Sequence, residues 1–343
     1  MTTDEFLRAL PKIQLHCHLE GTLRASTFLD LAKRHGVALT YRPRSEESHD
    51  PSDLYRFANF GEFLLAFAAA SRSLAEPADY ERLAAEFAQD ALEQNVAYAE
   101  VFVSPSVWQF FNPEIDVRAC MRAIRSALDA HRDLEVKIIV DLTRNFGAES
   151  AMRTAQLALD MQEFGVVGIG LGGDESRFPP ELFVDAFTFA RDRGLHVVAH
   201  AGEAAGAQSV RGAVEMLGAE RIGHGVRALE DDAVVELLKR RGIPLECAPT
   251  SNALTGVVSA GAEHPLVQLD ERGVIVTIDA DDPAMFRTSI TRELEIVQRM
   301  TGPDDVVRFT RNAVDAAFAP QEKKAELHAR IDAALENRGA SRT

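Results

Sequence analysis

Short runs that are apolar or β-branched throughout alternate along this chain with longer amphipathic stretches. Eight such runs lie near 13–19, 97–103, 137–142, 166–171, 196–201, 221–225, 244–248 and 274–279. Lys137-Ile138-Ile139-Val140 and Val274-Ile275-Val276-Thr277-Ile278 lack the polar alternation of a half-exposed strand. Strands buried on both faces of a parallel sheet read this way. Between the runs, Glu149 to Phe164 and Pro180 to Arg193 carry apolar residues at helical spacing. They stop at Gly165 and Gly194, which suit the position after a helix end. Strand and helix repeated eight times predict an α/β fold, a (β/α)8 TIM barrel.

Two regions depart from the repeat. About eighty residues separate the first two strands, more than one crossover needs. They hold a polar stretch, Tyr41 to Asp53, then Phe57, Phe60, Phe63 and Phe67 along one helical face. That face suits either a helix packed on the barrel or a lid over its mouth, since long loops carry function. After the eighth strand, 286–336 reads as extra helices closing the bottom or side, and 338–343 as a frayed tail. No linker, low-complexity block or repeat divides the chain, so 1–343 is expected to be one domain.

Composition narrows the partners. A 343-residue chain with 46% hydrophobic residues can bury a large core. The formal net charge of −16 disfavours binding to a phosphate backbone, so a nucleic-acid partner is not expected. No apolar run is long enough to span a membrane, and the N-terminus lacks the basic region of a signal peptide. Three cysteines form no disulfide framework, which fits a reducing cytoplasm. Nothing in the sequence bears on oligomeric state.

The polar residues at the predicted strand ends form a set. His16-Cys17-His18 places two imidazoles on one face of the first strand and turns Cys17 away into packing. The fifth strand ends in His200-Ala201-Gly202-Glu203, the sixth carries Gly223-His224-Gly225, and the eighth runs into Asp279-Ala280-Asp281-Asp282-Pro283. Three histidines and an aspartate can surround one divalent metal and leave a position for water. Each has a plainer reading. His200 suits a hydrogen-bonded core histidine, His224 a tight turn, and Asp282 a helix cap ahead of Pro283. Their shared position at strand ends favours the joint reading, because a barrel of this kind keeps its chemistry there. The other six histidines, His35, His49, His131, His196, His264 and His328, lie away from this set.

HCHLEGTLR at 16–24, GLGGDE at 170–175, HAGE at 200–203, RIGHGVRALED at 221–231, CAPTSN at 247–252 and DADDPAMF at 279–286 closely resemble the motifs of the adenosine deaminase family. The family belongs to the metal-dependent amidohydrolases. The resemblance implies one divalent metal, zinc, held by His16, His18, His200 and Asp281, with the chemistry of acidifying water. It implies that Glu203 donates a proton to purine N1. It assigns His224 to charge stabilisation and Asp281 to accepting a proton from water. Asp282 would meet N7 and the Gly173 amide N3, with His18 and Glu20 among the substrate contacts. Ser251 stands as a supporting partner. The expected partners are a small purine and water.

Two departures from the family pattern stand out. Asp279-Ala280 replaces the usual Asn-Ser/Thr before the paired aspartates, removing a hydroxyl and adding a carboxylate near Asp281. Glu20 stands where adenosine-specific members often carry Asp, the expected contact for a sugar hydroxyl.

The leading expectation is hydrolytic deamination of adenosine and 2′-deoxyadenosine. Gly173-Asp174-Glu175 and Gly223 fit the nucleoside-acting members. The alternatives are adenine or 6-amino-6-deoxyfutalosine as substrate, a binuclear amidohydrolase, or a non-catalytic binding protein on the same fold. The strand Val166 to Gly172 lacks the lysine common in binuclear sites, and Gly172-Gly173 leaves room for a flat ring.

Overall fold

The computed structural model describes residues 3–38, 51–57, 60–259 and 261–340. Eight strands, β1 (Lys12–His18), β2 (Val96–Val103), β3 (Glu135–Thr143), β4 (Val166–Gly172), β5 (His196–Ala201), β6 (Arg221–His224), β7 (Leu245–Cys247) and β8 (Val276–Ile278), pair in chain order. Every ladder is parallel. The seam between β8 and β1 is closed at its upper end, where Cys17 bridges Asp281. There the His18 amide donates to Asp281 O (2.9 Å) and the Asp281 amide to His16 O (3.1 Å). The fold is a (β/α)8 barrel, as the alternation predicts, and each of the eight expected runs contains one strand.

Glycines end the predicted helices as expected. The stretch 149–164 is the helix Gly147–Asp160 and a 3₁₀ turn, Gln162–Phe164, stopped by Gly165 at φ 86°. That left-handed conformation is cheap only for glycine. The 180–193 stretch is the turn Pro180–Phe183 and the helix Val184–Arg191, with Gly194 at φ 81°. After β8 come Ile290–Thr301, Pro303–Ala316 and Gln321–Ala340. The last helix runs on into the segment expected to fray.

The polar stretch 41–53 lies mostly outside the described residues. Of the phenylalanine face, Phe63 stacks on Phe286 at 4.8 Å and touches Phe57 and Phe67. Phe286 ends the turn begun at Asp282, whose carbonyl accepts its amide. The helix Phe60–Ser73 is thereby packed against the loop that follows β8, at the mouth of the barrel.

The barrel interior is filled in layers. Phe102, Ile139 and Val198, from β2, β3 and β5, form an apolar cluster separate from the main core. Glycines at alternate positions of β4 make room for them. A Cβ at Gly170 would lie 2.6 Å from Phe102 Cε1, and one at Gly168 2.5 Å from His196 O. Above this layer, toward the C-terminal ends of the strands, the inward side chains turn polar.

Candidate active site

The polar layer takes His16 and His18 from β1, Asp141 from β3, His200 from β5, His224 from β6 and Glu246 from β7, with Asp281 following β8. The ring centroids of His16 and His200 are 4.4 Å apart, and His18 lies 5.2 Å from His200. His18 Nε2 approaches His200 Nε2 at 3.2 Å and Asp281 Oδ1 at 3.5 Å. His16 Nε2 is also 3.5 Å from Asp281 Oδ1, and is buried with no hydrogen-bond partner. Potential ligand atoms of His16, His200, His224 and Asp281 all lie within 4.8 Å of one another. His224 thus stands in the close group with three of the expected ligands, and His18 joins it through His200 and Asp281.

The hydrogen bonds behind these rings aim their lone pairs. His16 Nδ1–H donates to Glu246 Oε2 (2.8 Å), and His200 Nδ1–H to Leu171 O (3.1 Å), which turns both Nε2 atoms inward. Burial pushes His18 down to about 4 and holds His200 well below the usual imidazole range, while, despite burial, the Asp281 and Glu246 carboxylates hold His16 above it. Neutral imidazoles are the form a metal binds. Ser251 Oγ–H donates to Asp281 Oδ2 at 2.6 Å, fixing the other carboxylate oxygen. The donor set, with an orphaned buried Nε2 at its centre, fits zinc.

A chain of bonds sets the tautomer of His224. The Leu266 amide donates to His264 Nδ1 (3.2 Å), so His264 Nε2–H donates to Asn252 Oδ1 (3.1 Å). Asn252 Nδ2–H then donates to His224 Nδ1 (3.1 Å), leaving the proton on Nε2. Burial holds His224 down to about 4, so it stays a neutral donor. Its Nε2 lies 3.6 Å from Glu203 Oε2. His264, read from sequence as lying apart from the site, is its remote support. Asn252 sits in the CAPTSN motif, but nothing in the sequence connects it to His224.

Glu203 stands on a loop clamped by Glu175. The Glu175 carboxylate accepts from the amides of Gly202 (2.6 Å), Glu203 (3.1 Å), Ala204 (2.7 Å) and Ala205 (2.9 Å). Burial, then the charges of Asp281 and Glu175, raises the Glu203 carboxyl to about 8. It is therefore an acid carrying its proton at neutral pH. The sequence placed Glu175 in the GLGGDE motif and among the residues that fit nucleoside-acting members; in the structure it holds this loop.

The expected substrate contacts line the rim. Glu20 Oε1 accepts from the Ser104 amide (2.9 Å) and Trp108 Nε1–H (2.6 Å), while its buried Oε2 has no partner. Asp282 caps no helix: the segment after Pro283 is a turn, and the next helix starts at Ile290 behind Ser289. Asp282 Oδ1 is buried and unpartnered, 1.8 Å from where a Cβ at Gly21 would be, so the glycine is what admits it. Burial and the Asp281 charge push the Asp282 carboxyl well up. Gly173 ends β4 at φ 94°, exposed at the rim. The space beside Gly172 is not left for a flat ring, since a Cβ there would lie 2.6 Å from Asp141 Oδ2.

Asp279 does not reach Asp281, contrary to the expected change in its hydrogen bonding. Its Oδ1 accepts from the amides of Leu15 (2.6 Å) and His16 (2.9 Å), and Thr277 Oγ1–H donates to Oδ2 (2.8 Å). The added carboxylate ties β8 to β1 behind the histidines.

With this arrangement, four comparisons place the chain. The family model described as Adenosine deaminase matches residues 11–334. The chain belongs to the adenosine deaminase family. It is 35% identical over 331 residues to an adenine deaminase of Rhodospirillum rubrum, covering 96% of this chain and 98% of that one. It is also 35% identical to an adenosine deaminase of Erwinia tasmaniensis, over 94% and 98% of the two chains. An amidohydrolase of Burkholderia ambifaria with bound Zn superposes with a TM-score of 0.85 at 26% identity, covering 98% of this chain and 94% of that one. Membership makes the protein a metal-dependent deaminase of a 6-aminopurine. No described helix is long and apolar enough to cross a membrane.

Other polar clusters have different work. His35, Glu76 and Asp79 also lie together, but Glu76 and Asp79 form the capping box of helix Pro77–Glu93, and Arg34 pairs with both. A cavity of about 560 Å³ opens at the opposite end of the barrel beside Arg221 and Phe318. The Arg221 nitrogens there are already bonded to Glu246, Glu100 and Ala316 O.

Proposed function

We propose that this protein hydrolyses the exocyclic amine of an uncharged 6-aminopurine, with adenosine and 2′-deoxyadenosine as substrates, giving the 6-oxo purine and ammonia. The observation that carries the reading is a protonated Glu203 placed 3.6 Å from the neutral donor His224, beside the His16/His18/His200/Asp281 cluster.

Water must add at C6 of an aromatic ring, and that addition needs electrons to flow onto N1. Glu203 donates its proton to N1, which lets C6 accept the nucleophile. Asp281, held by Ser251 and kept well below the usual carboxylate range by its imidazole neighbours despite burial, takes a proton from the water. His224 Nε2–H donates to the oxygen as charge develops on it. The metal, held by His16, His18, His200 and Asp281, would supply water acidified to near-neutral pKa. A proton passes to the amine, ammonia leaves, and C6 keeps the oxygen. Asp282, protonated because burial and Asp281 disfavour its charge, donates to N7, and the Gly173 amide donates to N3.

Adenine is the second reading. It is favoured by Glu20, longer than the aspartate of adenosine-specific members and committed through one oxygen to Trp108 and Ser104. The buried free cysteines Cys17, Cys120 and Cys247 suit the reducing cytoplasm assigned here. Neither nucleic acid nor membrane has a part in the proposal.

Ammonia release by the zinc-loaded protein tests it. Adenosine, 2′-deoxyadenosine, adenine, 6-amino-6-deoxyfutalosine and AMP are compared by kcat/KM. Adenosine is expected to lead and AMP to be poor. Preference for adenine would move the assignment to the free base, and two tightly bound metal ions per chain would overturn the mononuclear mechanism.

A further inference from the structure

One acid at the mouth of the barrel has no task in this scheme. Asp141 is the next inward residue of β3 after Ile139, and it is 4% exposed. Its Oδ1 has no hydrogen-bond partner among the described residues. Burying a carboxyl with an unsatisfied oxygen is costly, so the position is explained by a ligand that completes it. The barrel is shaped around this side chain. Across the ladder stand Gly170 and Gly172, where a Cβ would lie 3.0 Å from Asp141 Oδ1 and 2.6 Å from Oδ2 respectively. Burial, then the negative charge of Glu20, raises its carboxyl to about 8, which places the two acids in one neighbourhood. Glu20 too has one buried oxygen unpartnered.

The cyclic order of the strands shows what these acids face. Round a purine the order of positions is N7, C8, N9, N3, C2, N1, C6. Asp282 follows β8, Gly173 follows β4 and Glu203 follows β5. With Asp282 at N7, Gly173 at N3 and Glu203 at N1, the stretch from N7 round to N3 is faced by what β1, β2 and β3 supply. Those are Glu20, Ser104 and Asp141. Within that stretch N9 is the ring nitrogen that carries hydrogen in a free base and the sugar in a nucleoside. Asp141 pairs with Gly170 and its Oδ2 lies beside Gly172, the residue before Gly173, so it lies at the N3 end of the stretch.

Resting on the 6-aminopurine reading, we infer that Asp141 is a specificity-determining residue that, beside Glu20, accepts a hydrogen bond from a donor on the N9 side of the substrate. The donor is either the ring N9–H of a free base or a hydroxyl of a sugar. A substituent without a donor leaves the carboxyl oxygen unsatisfied.

The test compares the zinc-loaded wild type with Asp141→Leu, of similar volume without an acceptor, and Asp141→Ala, which removes the acceptor without adding bulk. The substrates are adenine, adenosine, 9-methyladenine and AMP, followed by ammonia release. In the wild type 9-methyladenine is expected to be at least about tenfold worse than the better of adenine and adenosine. Asp141→Leu is expected to lower kcat/KM for that better substrate about tenfold or more, through KM, and to leave 9-methyladenine unchanged. Loss on adenine alone identifies N9–H as the donor, and loss on adenosine alone identifies a sugar hydroxyl; both support the inference. Asp141→Ala is expected to show the same selective loss, with 9-methyladenine unchanged, and if the leucine variant does not fold, this variant decides. Equal losses on every substrate, or no loss, overturn the inference and leave the deaminase reading standing. Wild-type protein that deaminates none of the four overturns it together with that reading.

Discussion

His224 and Asp281 hold φ values of 62° and 59°, in a region that side-chain-bearing residues seldom occupy. Such strain persists where surroundings over-determine it. Here Asp281 is pinned by two backbone bonds across the seam, and His224 by the Asn252–His264 chain. The strain aims two side chains at one point, where Glu203 meets them. Glu203→Gln is expected to retain metal and lose about 10²- to 10⁴-fold in kcat, the range of a lost general acid. Metal content and turnover measured on one preparation check this. Because the Glu203 carboxyl is raised to about 8 and works protonated, kcat/KM is expected to be level below that pH and to fall as pH rises through it. A rate that stays flat to pH 10 would remove Glu203 as the acid. Glu203 was legible from HAGE at a strand end. His264 was not, because it acts through Asn252 and no spacing along the chain records that contact.

At the scale of elements, the loop after β5 carries the acid, yet the residue that shapes it comes from the segment after β4. Glu175 satisfies four successive amides, which a loop of that curvature cannot pair with itself. Glu175→Gln keeps one acceptor and removes the charge. It is expected to lower kcat about tenfold and, since the Glu175 charge helps raise Glu203, to move the alkaline fall of the rate to lower pH. A pH–rate profile of the variant reads both, and an unmoved limb would deny the electrostatic link. Strand positions were legible because both faces of a parallel strand are buried and apolar. The loops were legible only as motifs, since their course depends on partners from neighbouring strands.

Across the whole molecule, a buried chain of charges runs from the site toward the base of the barrel. His16 meets Glu246, Glu246 meets Arg221 (2.5 Å), and Arg221 meets Glu100 (2.6 Å), with all four side chains nearly or fully buried. One guanidinium serves two carboxylates, and removing it would leave both uncompensated. Arg221→Met is expected to cost about 3–5 kcal/mol of stability, as for other broken buried pairs, and is checked by denaturant unfolding. Metal removal acts at the upper end of the same chain. A chelator is expected to lower Tm and zinc to restore it, because a ligand bound only by the folded state stabilises it. A Tm indifferent to both would deny the cluster its metal.

The sequence by itself predicted the barrel and its eight strands, and through its motifs' resemblance to the family implied the His16, His18, His200 and Asp281 set and the class of chemistry. These follow from periodicity and from motifs placed where strands end. The tertiary structure decided what stands behind and beside them. It excluded the helix-cap alternative for Asp282, made Asp279 a seam between β8 and β1, and set Glu246, Glu175, His264 and Asp141 behind or beside the site. The physical reason is that a metal ligand or acid is marked by its own chemistry at a strand end. A supporting or recognising residue is defined by what it touches, and closure of the barrel brings together residues as far apart as Leu15 and Asp279.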